Sequence, residues 1–242
     1  MVVPRLVNNP VLTLAGVSKQ YGGLRPLRVQ ELTVAPGEHV ALLGFDRVSA
    51  EVFVNLVTGA MLPDAGRVTL FGCPTADIAD GSAWLALVDR VGIVSERAVL
   101  LEPLSVVQNL AMPFTLEIEP PPPEVTERAE RIASEVGLAP ATWHRPVADL
   151  EAGGRARARL GRALALDPAV LLLEHVSAGL DVGAGRKLAR DIRALATRRG
   201  TATVAIGADN RFAAAVATRV LALEPATGRL AERRGWFRRI LD

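Results

Sequence analysis

Few residues in this sequence combine a reactive type with a position that could do chemistry. His39, His144 and His175 are the only histidines, and no spacing among them suggests a metal site. His175 is the one group whose ordinary pKa suits proton transfer near neutrality, and it follows Glu174 at the end of an apolar run. A lone base achieves little without other groups to position what it acts on. His39 and His144 read most simply as structural or surface residues. Cys73 is the sole cysteine, so an internal disulfide and a thiolate metal cage are both excluded, and a buried, inert thiol is expected. Lys19 and Lys187 are the only lysines, so the basic set is almost all arginine. The net charge of +2 is too small to imply a nucleic-acid surface.

The elements that would position such residues are short apolar runs. Val40 to Leu43 is wholly apolar, as a strand buried on both faces would be, and it ends at Gly44. Val52, Phe53, Leu56 and Val57 then recur at helical spacing as far as Gly59, which predicts a strand, a loop and a helix. Val11, Leu12 and Leu14 lead to a Gly22-Gly23 turn, and Leu27, Val29, Leu32 and Val34 carry a second strand closed by Pro36-Gly37. Val68 to Phe71 joins these as part of a smaller antiparallel sheet. Further strands are predicted at Val91–Val94, Ala169–Leu173, Thr203–Ile206 and Val220–Leu223, mostly separated by helices, which points to a mainly parallel sheet with helical cover.

The middle of the chain has a different texture. Ser105 with Gln108 forms a capping box ahead of a short helix. Pro120 to Pro123 suits neither helix nor central strand and is expected as an exposed bend. A helix follows from about Glu124 to Val136, with Val125, Ala129, Ile132 and Val136 on one stripe and Gly137 as its stop. The predicted organisation is one domain over 1–242: an α/β core from 1–95 and 166–242, with a helical subdomain at 96–165. No apolar run approaches the roughly 18 residues of a spanning helix, and Met1 to Pro10 lacks a basic stretch followed by an apolar one. An intracellular protein whose membrane contact comes through a partner is therefore expected. The basic, aromatic stretch Gly235 to Leu241 is read as ordinary packing, with contact to a membrane surface or partner as the alternative.

Five segments extend these observations. Val17-Ser18-Lys19-Gln20-Tyr21-Gly22 is followed by Ala35-Pro36-Gly37-Glu38 before the buried strand and Gly44. Next come Asp64-Ala65-Gly66-Arg67-Val68, and Val91 to Glu96 with Leu100 to Val106. Last are Arg162 to Pro168, Leu171 to Leu173 and Ser177-Ala178-Gly179-Leu180-Asp181. In this order and spacing, over essentially the whole chain, they resemble the nucleotide-binding subunits of ATP-binding cassette (ABC) transporters. The resemblance implies the phosphate-loop ABC ATPase fold: a mainly parallel central sheet, an N-terminal antiparallel β part and a helical insertion. It implies a transmembrane permease as partner, a homodimer or a heterodimer with another ABC ATPase subunit, and a cytoplasmic place on the inner face of the cell membrane.

The same resemblance assigns site positions. Tyr21 stands where an aromatic stacks on adenine. The phosphate loop would run from Gly44, with its inner glycines at Arg47 and Ser49, its lysine at Ala50 and its Ser/Thr pair at Glu51 and Val52. The metal-sensing glutamine falls at Glu96. The signature Leu-Ser-Gly-Gly-Gln aligns with Leu150 to Gly154, placing its serine at Glu151 ahead of Gly153. The magnesium-directed aspartate falls at Glu174, the general base at His175 and the switch histidine at Ala208. A phosphate loop works by turning glycine N–H groups, a lysine and a hydroxyl towards phosphate and Mg²⁺. Losing the lysine removes a contact worth roughly 1.5–3 kcal/mol. A carboxylate at Glu51 facing phosphate about 4 Å away would cost on the order of 4 kcal/mol at an effective dielectric near 20. A carboxylate near a helix N-terminus gains up to about 1 kcal/mol, so Asp46 or Glu51 is expected to take the anion site itself.

The resulting expectation is a catalytically degenerate ABC subunit that docks on a permease near Glu96 to Met112 as a scaffold or regulator. No metal or cofactor is required, and ATP and Mg²⁺ enter only through residual binding. Two alternatives stay open. One is an active, non-standard ATPase relying on Glu174 and His175; the other is a soluble binding module that reuses the fold.

Overall fold

The apolar runs assemble into two sheets in the computed structural model, which describes residues 9–233. The 235–241 stretch considered above lies outside the described residues. β1 (Leu12–Lys19) and β2 (Leu27–Val34) pair antiparallel, and β4 (Ala65–Leu70) lies on the other side of β1. The two-residue β5 (Cys73–Pro74) completes this small sheet.

β3 (His39–Leu43) is buried at every residue because it sits inside the larger sheet, between β8 (Ala202–Gly207) and β9 (Arg219–Glu224), parallel to both. β7 (Val170–Glu174) continues the parallel sheet from β8, and β6 (Val91–Val94) follows at that edge. β10 (Arg229–Glu232) runs antiparallel on β9 at the other edge. Alternation along β3 divides the core. Val40 and Leu42 face α1 (Arg47–Val57) and the small sheet, while Ala41 and Leu43 face the layer containing α5 (Ala152–Leu164), α6 (Val182–Arg199) and α7 (Asn210–Val216).

α2 (Gly81–Val88) precedes β6. Between β6 and β7 the chain forms α3 (Val106–Ala111), α4 (Pro123–Glu135) and α5, whose buried faces meet through Leu110, Ile132, Ala133 and Leu160. The Ser105–Gln108 capping box is present at α3. The expected proline bend needs correction, since Pro123 is the first residue of α4 and Pro122 is its N-cap. The first helical N–H has no intrahelical acceptor, so proline is tolerated there and its fixed φ suits the helix. Gly137 ends α4 with a φ of 77°.

His39 is a structural residue. Its ring nitrogens lie 3.1 Å from Thr203 Oγ1 and 2.9 Å from Thr197 Oγ1. Burial pulls its pKa down, Arg193 adds to that effect and Glu38 opposes it. The unfolded chain takes up this proton near pH 6.5 and the folded chain only at lower pH, so stability from this group is complete above about pH 6.5 and is lost as pH falls through the folded pKa. Melting curves between about pH 5 and pH 8 should therefore fall more steeply with acid for the wild type than for His39→Gln, because only the wild type carries this titration.

Candidate functional site

The C-terminal ends of β3 and β7 and the start of α1 meet in one place. Gly44 leaves β3 with a φ of 90°, and a Cβ there would lie 3.3 Å from the Leu223 carbonyl oxygen, so both backbone shape and space call for glycine. The loop then closes on itself. Asp46 is the N-cap of α1, and its Oδ1 accepts from the Ser49 N–H at 2.7 Å and the Ser49 hydroxyl at 2.6 Å. The Asp46 carbonyl accepts from the Ala50 N–H at 3.0 Å. The Ser49 hydroxyl and N–H hold the Asp46 carboxyl below the usual aspartate range.

Of the two acidic residues expected at the helix start, Asp46 is therefore the one that takes its donors. Asp46→Ala should lower stability by about 1 kcal/mol through loss of the cap, readable as a shifted urea midpoint with unchanged slope. Ala50 and Val52 are buried on the inner face of α1, where Phe53 meets Phe45 edge to face at 5.5 Å.

Glu51, the other residue offered for that site, is turned away from it. It is the fifth residue of α1, four residues past Arg47 where the helix begins, and it points to Arg97 instead. Arg97 Nη1 lies 3.2 Å from Glu51 Oε1. The same guanidinium grips Glu174 with both arms, Nε to Oε1 at 3.1 Å and Nη2 to Oε2 at 2.6 Å. The Glu174 side chain is only 7% exposed. The fork on Glu174 raises the Arg97 pKa, with Glu51 adding a smaller contribution. Beside this bridge, Arg47 at an inner-glycine position pairs with Glu96 at the glutamine position, 3.0 Å apart.

Arg97 is the functional residue that the sequence reading missed. The cation that Ala50 cannot supply comes from an arginine elsewhere in the chain. The usable signal was that Glu51, Glu96 and Glu174 all introduce negative charge at aligned positions, and such a cluster needs a counter-ion.

His175 is placed beside Glu174 with a φ of 47°, its N–H donating to the Ile206 carbonyl at 3.0 Å. Its Nε2 is buried without a hydrogen-bond partner among the described residues. Ala208 and Ser177 share with it the lining of a cavity of about 240 Å³. Tyr21 lines a wider cleft of about 640 Å³ together with Gly44, Asp46 and Ser49. Glu151 and Gly153 stand apart from this assembly. Glu151 is the N-cap of α5 without a side-chain cap bond, and both residues line a groove with Lys187 and Asp149. Gly44, Ala50, Glu51, Val52, Glu96, Glu174 and His175 are thus gathered around one end of the sheet, and the α5 residues are not. Among the described residues no group of three or more metal-ligating side chains forms, and no helix is long and apolar enough to cross a membrane.

Comparisons with known proteins agree on the frame. A sequence profile described as ABC transporter matches residues 27–176. The sulfate/thiosulfate import ATP-binding protein CysA of Caulobacter vibrioides is 31% identical over 217 residues, covering 88% of this chain and 61% of that protein. The nickel import ATP-binding protein NikO of Rhodobacter capsulatus is 34% identical over 175 residues, covering 71% of this chain and 68% of that protein. The chain thus spans 58–61% of the length of several CysA relatives. Among solved structures, cbiO1 of Clostridium perfringens, part of the ABC transporter complex cbiONQ, superposes with a TM-score of 0.77 at 20% identity, over 92% of this chain and 87% of that one. The MJ0796 cassette dimer bound to ADP and Pi gives 0.72 at 21% identity, over 93% of this chain and all of that one. At such identities these two likenesses speak to the fold.

Proposed function

Because the chain belongs to the ABC transporter family, we propose that it is an ATP-binding-type subunit that docks on a membrane permease and acts there as a scaffold or regulator, with ATP binding and hydrolysis weak or absent. One observation carries this reading: at the start of α1 the Ser49 N–H and hydroxyl both donate to the chain's own Asp46 carboxylate. A magnesium-bound triphosphate needs free N–H groups, a lysine and a hydroxyl, and finds an aspartate cap, a buried Ala50 and, at the hydroxyl positions, Glu51 and a buried Val52. The two carboxylates nearest the expected metal position are held by Arg97. These residues do not suit the nucleotide.

The partners follow from the family. The relatives are named as import ATP-binding proteins, and pairing with a permease would place this chain peripherally on the inner face of the membrane. The surface available for docking is the segment after Glu96, where Val99 and Leu101 are exposed. A second ATP-binding-type subunit, identical or different, would complete the pair. The test is an ATPase assay on the chain co-purified with its permease and any second subunit. No turnover attributable to this chain is expected, and His175→Ala should leave the measured rate unchanged. Turnover abolished by His175→Ala would overturn the reading in favour of an ATPase that works through Glu174 and His175.

A further inference from the structure

The Arg97 bridge has a geometry that an incidental surface ion pair lacks. One guanidinium meets two carboxylates from different elements, Glu51 on α1 and Glu174 at the end of β7, and it engages the more buried one as a fork. Arginine alone among side chains offers this planar two-armed grip. Of the other charges nearby, Glu96 pairs with Arg47, Asp46 takes the Ser49 donors, and Arg159 and Arg155, which line a cleft with Glu96, donate to the Ala98 and Leu150 carbonyls. Without Arg97 the two glutamates would face one another with no counter-charge, and a partly buried pair of carboxylates gathers a divalent cation or a proton.

Arg97 also stands on the segment that leaves the sheet for α3. Its own N–H donates to Ser95 Oγ at 3.1 Å, and the next two carbonyls are bound by α5, Ala98 by Arg159 at 3.4 Å and Val99 by Arg162 at 2.7 Å. A continuous set of contacts therefore runs from α1 and β7 through Arg97 to α5.

We propose that Arg97 is a tethered cation that neutralises Glu51 and Glu174 from within the chain, in place of a divalent metal, and so fastens the loop to α5 onto the core without any ligand. The inference rests on the reading of this site as one that no longer takes magnesium-bound triphosphate, and it deepens that reading by naming what replaced the metal. The bridge makes the loop's position independent of nucleotide.

Titration of the full chain with Mn²⁺, followed by electron paramagnetic resonance of the free ion, tests the proposal. The wild type should show no tight site, whereas Arg97→Met should gain one Mn²⁺ per chain at least tenfold tighter than anything in the wild type. Adding Glu174→Gln to Arg97→Met should abolish that gain. If Arg97→Met binds Mn²⁺ no better than the wild type, or if the wild type already holds an ion that Glu174→Gln releases, the proposal is overturned. Should Arg97→Met fail to fold, Arg97→Gln serves, since it removes the charge and keeps a polar side chain; a gain of at least threefold is expected, and its absence counts against the proposal equally. Titration of the wild type with Mg-ATP in parallel separates the two readings. Nucleotide binding together with the Mn²⁺ gain would end the degenerate reading and leave Arg97 as the tethered cation. No nucleotide binding and no gain would end the role of Arg97 alone.

Discussion

Ala50→Lys on its own should raise affinity for Mg-ATP by less than about tenfold, which is under about 1.4 kcal/mol. Rebuilding the loop as a unit, with Asp46→Gly, Arg47→Gly, Ser49→Gly, Ala50→Lys and Glu51→Ser, together with Arg97→Ala, should raise it by at least about a hundredfold, or 2.7 kcal/mol. The contrast follows from where the donors now point. A lysine at position 50 would start from a fully buried site on the inner face of α1, and the Ser49 N–H beside it would still be held by Asp46. A single charge-assisted contact is worth about 1.5–3 kcal/mol only when its geometry is good. Removing the cap frees the helix start, the glycines let the loop open, and Glu51→Ser replaces a repelling carboxylate with a hydroxyl that can face a metal. Calorimetric titration of the two variants decides the matter. A hundredfold gain from Ala50→Lys alone would mean that the loop is already competent and lacks only its charge.

Gly92→Ala should cost about 3 kcal/mol, at the upper end of overpacking penalties. Gly92 lies in β6, where the sheet edge meets α5. A Cβ there would sit 2.5 Å from the Ala163 carbonyl oxygen and 2.5 Å from Leu171 Cδ2. The leucine end can turn aside, but the carbonyl belongs to the α5 backbone, so the helix itself must move. Because β6 leads directly into Glu96 and Arg97, the same shift should loosen the Arg97 bridge. Gly153→Ala is the matching control, since its added Cβ meets nothing within 4 Å and alanine favours a helix by about 0.5–1 kcal/mol. Denaturant unfolding of both variants should give opposite signs. A loss below 1 kcal/mol at Gly92 would contradict the close packing of α5 on the sheet edge.

Much of the frame was legible because it depends on local pattern. The all-apolar run before Gly44 is of the kind expected for a strand buried on both faces, which it is, and Ser105 with Gln108 three residues on marks the start of a helix. Pro123 was misread because proline was treated as uniformly hostile to helix, whereas the first helical position has no hydrogen bond to lose. The site was legible position by position but not in its electrostatics. Asp46 capping α1 is a contact over three residues, of the kind sequence reveals. Arg97 binding Glu174 spans 77 residues and depends on the loop after β6 lying against the end of β7, which only the parallel pairing of those strands brings about. Of the two carboxylates that sequence proximity offered to the helix N-terminus, Asp46 lies at the cap, while one turn of helix aims Glu51 elsewhere.

The deciding property of the site is whether the start of α1 still accepts an anion from outside. Isothermal titration of the purified wild-type chain with Mg-ATP asks this directly. Binding weaker than about 100 μM, or roughly −5.5 kcal/mol, is the predicted result. A saturable site tighter than that, lost in Gly44→Val, would contradict it.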